Sequence, residues 1–228
     1  MKRKTIQVIT MLIILLLAIP VLSVAQVGKA NSNKKNEQSN TKNIQLFNGK
    51  NLKNWAFQLK DPAVDPAGVF TVANGVIHIK GEPFGYMRTK ELYSDYKLHV
   101  EWRWPDEATN SGVFVHGQQP DAIWLKCFEC QLKAGSAGDF ICMNGSDMDE
   151  RTDKTKIAVP KLADSSENPT GEWNTMEVVC LGNTIEVSVN GVLQNKATNI
   201  SVSSGSICLQ SEGKDIEFRN VFVTQLKR

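Results

Sequence analysis

The chain has 228 residues, with 26 Lys and Arg against 24 Asp and Glu, a formal net charge of +2. A balance this close to neutral supplies no field to gather nucleic acid or an anionic membrane surface. A hydrophobic content of 41% also excludes a chain with too little apolar surface to fold.

In chain order, Lys2, Arg3 and Lys4 precede an apolar run from Met11 to Val24, and Ser23-Val24-Ala25 offers small residues for cleavage. Residues 1–25 are therefore predicted to be a signal peptide, and the mature protein is expected in the periplasm or outside the cell. The run is short and wrongly flanked for a membrane span, so no membrane insertion is expected after cleavage. No Cys follows it to accept lipid. Loss of the leader removes three cations and leaves 23 Lys and Arg against 24 Asp and Glu, a net −1. Residues 26–43, rich in Asn, Lys and Ser, read as a solvated tether. The 185 residues from Ile44 to Arg228 suffice for one domain with a full core.

Within that domain the dominant period is two. Tyr96 to Trp104 alternates apolar and polar residues, as do Ile185–Val189, Ile207–Gln210 and Ile216–Arg219. Asn74-Gly75, Gly182-Asn183 and Asn190-Gly191 favour the positive φ of tight hairpins. No window carries a sustained helical period. These signals predict an all-β, antiparallel fold that closes as a sandwich, jelly roll or barrel. The polar stretch from Gly145 to Asn168 reads as a long loop. Five cysteines, an odd number, leave at least one thiol unpaired; a Cys130–Cys142 bridge is one arrangement to test.

The run Leu46-Phe47-Asn48-Gly49-Lys50-Asn51-Leu52, with Trp55 after it, resembles the opening of the 3-keto-disaccharide hydrolase domain. Ala73–Ile77, Leu92–Tyr96, Asn110-Ser111-Gly112-Val113-Phe114, Gly171–Asn174, Val189–Gly191 and Ile216–Val221 continue the resemblance in order. It implies a concanavalin A-like jelly-roll sandwich of two antiparallel sheets, with a carbohydrate site on the concave face. It also implies activity on glycosides whose sugar carries a ketone at C3, and hence a separate sugar 3-oxidoreductase upstream as a partner.

The residues offer candidates for that chemistry. Alternation puts Leu98, Val100, Trp102 and Trp104 in the core and His99, Glu101 and Arg103 on the opposite face. Around Phe128 and Leu132 it turns Glu129 and Gln131 outward, beside Leu125 and Cys127, and the resemblance implies an acidic residue at Glu129. Gln210 and Glu212 share a face with Cys208, and His116 follows the Asn110–Phe114 run.

A ketone at C3 acidifies the C2 proton, so a base, a donor or cation for the enolate oxygen and an acid for the leaving oxygen would suffice. Glu129, then Arg103 or Lys126, then Glu101 or His116 supply those types. Gln131, Lys126, Gln210, Glu212 and His99 are the candidate substrate contacts. An ordinary glycosidase would also need two carboxylates. A lectin-like module would use the same face without a matched acid and base.

No cofactor and no metal ligand are expected. Cys127-x-x-Cys130 has no second pair for zinc, and on a strand its sulfurs point apart. Asp147-Met148-Asp149-Glu150, with Asp139 and Asn144 nearby, offers oxygen ligands for Ca²⁺, although a solvated loop is the simpler account.

Overall fold

The computed structural model describes residues 43–227. The predicted leader, and all of the predicted tether except Asn43, lie outside them. In chain order the strands are β1 (Asn43–Gln45), β2 (Trp55–Leu59), β3 (Phe70–Ala73), β4 (Val76–Ile79), β5 (Gly85–Thr89), β6 (Tyr96–Arg103) and β7 (Gly112–Gly117). They continue with β8 (Cys127–Gln131), β9 (Phe140–Met143), β10 (Ala158–Val159), β11 (Asn174–Leu181), β12 (Thr184–Val189), β13 (Val192–Ala197), β14 (Ser206–Ser211) and β15 (Ile216–Gln225). One short 3₁₀ turn, Pro66–Gly68, is the single helical element among the described residues.

The strands are antiparallel, as the alternation predicts, and form two sheets, as the resemblance implies. The first runs β13-β12-β11-β6-β15-β4-β3, with β1 added against β15; the second runs β10-β9-β8-β7-β14-β5-β2. Tight turns with positive φ at Asn74-Gly75, Gly182 and Asn190-Gly191 close the β3–β4, β11–β12 and β12–β13 hairpins. Asn and Gly reach that region at little cost, which is why these dipeptides mark hairpins.

The inner faces meet in one apolar core. Leu98, Val100 and Trp102 of β6 and Val178 and Cys180 of β11 lie there with Val113, Phe128, Phe140 and Leu209 of the other sheet. All five cysteines are buried free thiols, so the Cys130–Cys142 bridge is not formed. The thiols act as small apolar side chains within sheets that need no staple.

The polar stretch after Gly145 is not a bare loop. It contributes β10 to the edge of the second sheet, and its acids are taken by the chain's own donors. Asp147 accepts from Arg151 Nε at 2.9 Å and Lys154 Nζ at 2.8 Å. Asp149 accepts from Asn199, Glu150 from the backbone and hydroxyl of Thr198, and Asp139 from the Lys161 amide.

Candidate active site

The outer face of the second sheet carries a second, smaller apolar cluster of Tyr86, Phe114, Leu125, Cys127, Met143 and Cys208. An antiparallel sheet commonly leaves its outer face to water, so this burial needs a cover. The β7–β8 loop supplies it. Arg88 of β5 grips Asp121 with two hydrogen bonds, Nε at 2.7 Å and one terminal nitrogen at 2.8 Å. The Tyr86 hydroxyl donates to the Ala122 carbonyl at 2.9 Å. Trp124 lies against Phe84 with ring centroids 4.7 Å apart, and Asn144 Nδ2 holds the Trp124 carbonyl at 2.9 Å. The loop is thus tied across the sheet at four points.

Beside this cover remains an open cavity of about 350 Å³. That is toward the lower end of sites that hold small ligands. Its polar lining comes from Glu129 and Gln131 of β8, Gln210 of β14, Glu212 and Asn144; Trp124, Ile141, Met143 and Ile157 are apolar lining residues. The register explains the polar grouping. Gln131 pairs with Gly112 and Glu129 with Phe114 on β7, while Phe114 pairs with Cys208 on β14. Gln131, Gly112 and Gln210 consequently lie side by side on three neighbouring strands, with Glu129 one outward position away.

Gly112 makes room for this arrangement. A Cβ built there would stand 2.3 Å from Glu129 Oε1, closer than any side chain tolerates. Its neighbour Ser111 donates to the Gln210 carbonyl at 2.9 Å and holds β14 in place. Gln131 is oriented by its own backbone: Oε1 accepts from the amides of Leu132 and Lys133, both at 2.9 Å, so its Nε2 is the group left to donate.

Glu129 is 4% exposed, and its Oε1 has no hydrogen-bond partner. Burial, and then the neighbouring Glu212 carboxylate, push its pKa up to about 8. Glu212 is also raised by burial, although the amides of Asn110 and Gln210 act against the shift by supporting its charged form. Two carboxyls therefore face one cavity in different environments: one keeps its proton at neutral pH, and the other has donors for its anion.

A family model for the 3-keto-alpha-glucoside-1,2-lyase-like domain matches residues 42–224. The chain belongs to this family. Among solved structures, a Parabacteroides distasonis protein provisionally named a glycosyl hydrolase superposes with a TM-score of 0.61 at 19% identity. The match covers 81% of this chain and 94% of that one. The carbohydrate binding module CBM66 from Bacillus subtilis gives a TM-score of 0.57 at 11% identity, over 75% and 96% of the two chains. A Bacillus licheniformis beta-glucanase gives 0.54 at 12% identity, over 80% and 97%. These likenesses show the fold, the concanavalin A-like jelly roll implied by the sequence. No match was found among curated proteins.

In this member of the 3-keto-alpha-glucoside-1,2-lyase-like family, the structure brings Glu129, Gln131, Gln210 and Glu212 together at one cavity. It separates the other candidates from them. His99, Glu101 and Arg103 belong to β6 in the first sheet and point outward there, so the whole sandwich stands between them and Glu129. They are occupied locally. Glu101 accepts from Arg219 Nε at 2.6 Å and Asn220 Nδ2 at 2.7 Å, and Arg103 Nε donates to Glu217 at 2.6 Å. His99 Nδ1 meets Glu177 at 2.5 Å, and the guanidinium groups of Arg103 and Arg219 both lie over the Trp173 ring, 4.7 and 4.0 Å from its centroid. The expectation that Glu101 and Arg103 act beside Glu129 is corrected on these grounds.

His116 is corrected as well. By alternation it shares the outward phase of Phe114, but φ of +57° and a register slip against β14 form a bulge that turns the ring inward. The side chain is fully buried, edge-on to Tyr96, with Nδ1 donating to the Val202 carbonyl at 3.0 Å. Burial lowers its pKa to about 4, so the ring is neutral and lies away from the cavity. Lys126 precedes β8 out of phase with Cys127, Glu129 and Gln131, and it does not line the cavity.

Reading the sequence missed Asn110, Gly112 and Trp124. The first two lie in the Asn110-Ser111-Gly112 run, whose place beside the carboxyls only the β7–β8 and β7–β14 pairings reveal. An exposed Trp has no mark in sequence to tell it from the core Trp55 or Trp102.

Proposed function

We propose that this protein cleaves the glycosidic bond of 3-keto-glycosides by acid–base chemistry, with Glu129 as the acid and Glu212 as the base. The observation that carries the reading is Glu129 itself: a buried carboxyl with an unpartnered oxygen, facing a cavity and holding its proton to about pH 8. Acid function at neutral pH needs such a proton. Glu212, its anion supported by Asn110 and Gln210, takes the C2 proton of the ketosugar. The C2–H electrons form an enolate on the C3 carbonyl, toward which the fixed Nε2 of Gln131 donates. Collapse of the enolate forms the C1–C2 double bond and expels the C1 oxygen, which takes the Glu129 proton. Water then adds to C1, giving a proton to Glu129, while Glu212 returns its proton to C2, completing net hydrolysis. Amide donors replace the Arg103 or Lys126 cation expected from sequence.

The same proposal includes export by the leader and an upstream sugar 3-oxidoreductase, because oxidation at C3 is a reaction of a different class. The test follows aglycone release from a 3-keto-glycoside beside its unoxidised parent. Release from the ketone alone is expected, with Glu129→Gln reducing it by about 10²-fold or more while binding persists. Release from both compounds would make the protein a conventional glycosidase. Binding of the ketone without release would leave a lectin-like module.

A further inference from the structure

Glu129 Oε1 and Gln210 Oε1 are both buried, and neither has a hydrogen-bond partner. Buried acceptors without a donor are rare and call for a reason. These two stand at one gap. Glu129 Oε1 occupies the space left by the absent Gly112 side chain, 2.3 Å from where its Cβ would stand. Gln210 lies across from Gly112 on β14, one position beyond the Leu209–Val113 pair. Gln131, on the other side of the gap, has no acceptor to offer, because the Leu132 and Lys133 amides take both lone pairs of its Oε1. The direction of the Gln210 amide is settled by Glu212: Nε2 donates to that carboxylate, and Oε1 is the end left over. Asn110 Oδ1 is a third buried oxygen without a donor, but Asn110 sits two residues before Gly112 and serves Glu212 rather than the gap.

We infer that Gln210 is a positioning residue that bridges the two carboxyls, accepting the Glu129 hydroxyl proton at Oε1 and donating from Nε2 to the Glu212 carboxylate. A protonated carboxyl is a donor as well as an acceptor, so one hydrogen satisfies both buried oxygens at once. The bridge has a direction. With the proton on Glu129 and the charge on Glu212 every group is matched. The reverse assignment sets a Glu129 anion against the Gln210 carbonyl and spends two amide donors on a neutral Glu212. The other titratable groups around Glu129 do not compete: burial holds the Cys127 and Cys130 thiols well above the usual range and Cys142 at about 11, and no Lys, Arg or His lines the cavity. The catalytic meaning of the bridge rests on the proposed function, in which this is the starting state. Elimination leaves Glu129 ionised and Glu212 protonated, and hydration restores the assignment that Gln210 favours. A half-turn of the Glu129 carboxyl about Cγ–Cδ carries its proton from Gln210 to the cavity when the leaving oxygen is in place.

The test is a pH titration of the full chain by NMR, without substrate, following the Glu carboxyl carbons and the Asn and Gln side-chain amides. In the wild type the Gln210 amide signals are expected to move at two midpoints, that of Glu212 and that of Glu129 near pH 8, while the Asn110 signals follow Glu212 alone. Gln210→Met keeps the size of the side chain and removes both ends of the bridge. It is expected to lower the Glu129 midpoint by about one pH unit, as loss of an ordinary hydrogen bond to the neutral form would, and to raise that of Glu212. Asn110→Ala is expected to raise Glu212 and leave Glu129 in place. With a 3-keto-glycoside, the pH profile of kcat in Gln210→Met should narrow from both sides, a change that loss of packing alone would not produce. A Gln210 amide that follows only Glu212, or a Glu129 midpoint that Gln210→Met leaves unmoved, overturns the inference. The wild-type amide signals decide it even where the variant does not fold. Failure of the underlying function shows separately, as the expected titrations in a protein that releases nothing from a 3-keto-glycoside; the bridge then stands and the catalytic reading falls.

Discussion

Glu129 keeps its proton because water is excluded from it and because Glu212 stands nearby. A carboxyl whose folded pKa lies above its unfolded value binds an extra proton in the native state between the two values. Stability therefore falls as pH rises from about 4.5 to about 8. Glu129→Gln should remove that slope, so thermal melting followed from pH 4 to pH 9 should show the variant gaining on the wild type as pH rises. Turnover needs the same proton, so kcat should hold below about pH 8 and decline above it. Gly112→Ala should be nearly as damaging as loss of the carboxyl, because its Cβ would stand 2.3 Å from Glu129 Oε1 and displace it. A variant that kept wild-type kcat would show that the carboxyl position is not critical. Alternation identified Glu129, Gln131, Gln210 and Glu212 as outward residues, and the same argument identified Glu101 and Arg103. The method could not separate the two groups, since a period of two reports the face of a strand and not the sheet that holds it.

At the scale of elements, β6 shows what an outward charged row does when it is structural. Its acids and bases are paired with β11 and β15, which hold Glu177, Glu217 and Arg219. The β15 bulge at Asn220, φ +50°, adds a second donor to Glu101. Bulges were also what alternation could not foresee at His116, where one residue out of register moves a side chain from one face to the other. The β7–β8 loop uses the same kind of charge pairing to cover the outer face of the other sheet. Asp121→Ala should release it from Arg88, raising KM severalfold with little change in kcat. The melting temperature should hardly move, because a partly exposed ion pair contributes on the order of 1 kcal/mol or less. Steady-state kinetics with a 3-keto-glycoside would decide it, and an unchanged KM would detach the loop from substrate binding.

The whole molecule is held by its core rather than by covalent staples. Five buried free thiols predict that reductant leaves the melting temperature unchanged, and that a thiol reagent counts five groups only after unfolding. Trp102→Ala, on the fully buried inner face of β6, should cost about 3–5 kcal/mol in denaturant unfolding. The same packing sets the limit on the site: Glu129 keeps its proton because both neighbouring strands exclude water from it.

The amino-acid sequence by itself determined the strands, their inward and outward faces, the hairpin turns and, through motifs in order, the family. Each of these depends on interactions a few residues long: side-chain alternation, the positive φ open to Asn and Gly, and turn stereochemistry. Only the tertiary structure decided that Glu212, 83 positions beyond Glu129, is its partner while Glu101 lies across the sandwich. It also decided that Gly112 clears space for a carboxyl and that Trp124 borders the cavity. Strand order brings these groups together, and it depends on how two whole sheets bury their apolar faces, a choice no single segment contains.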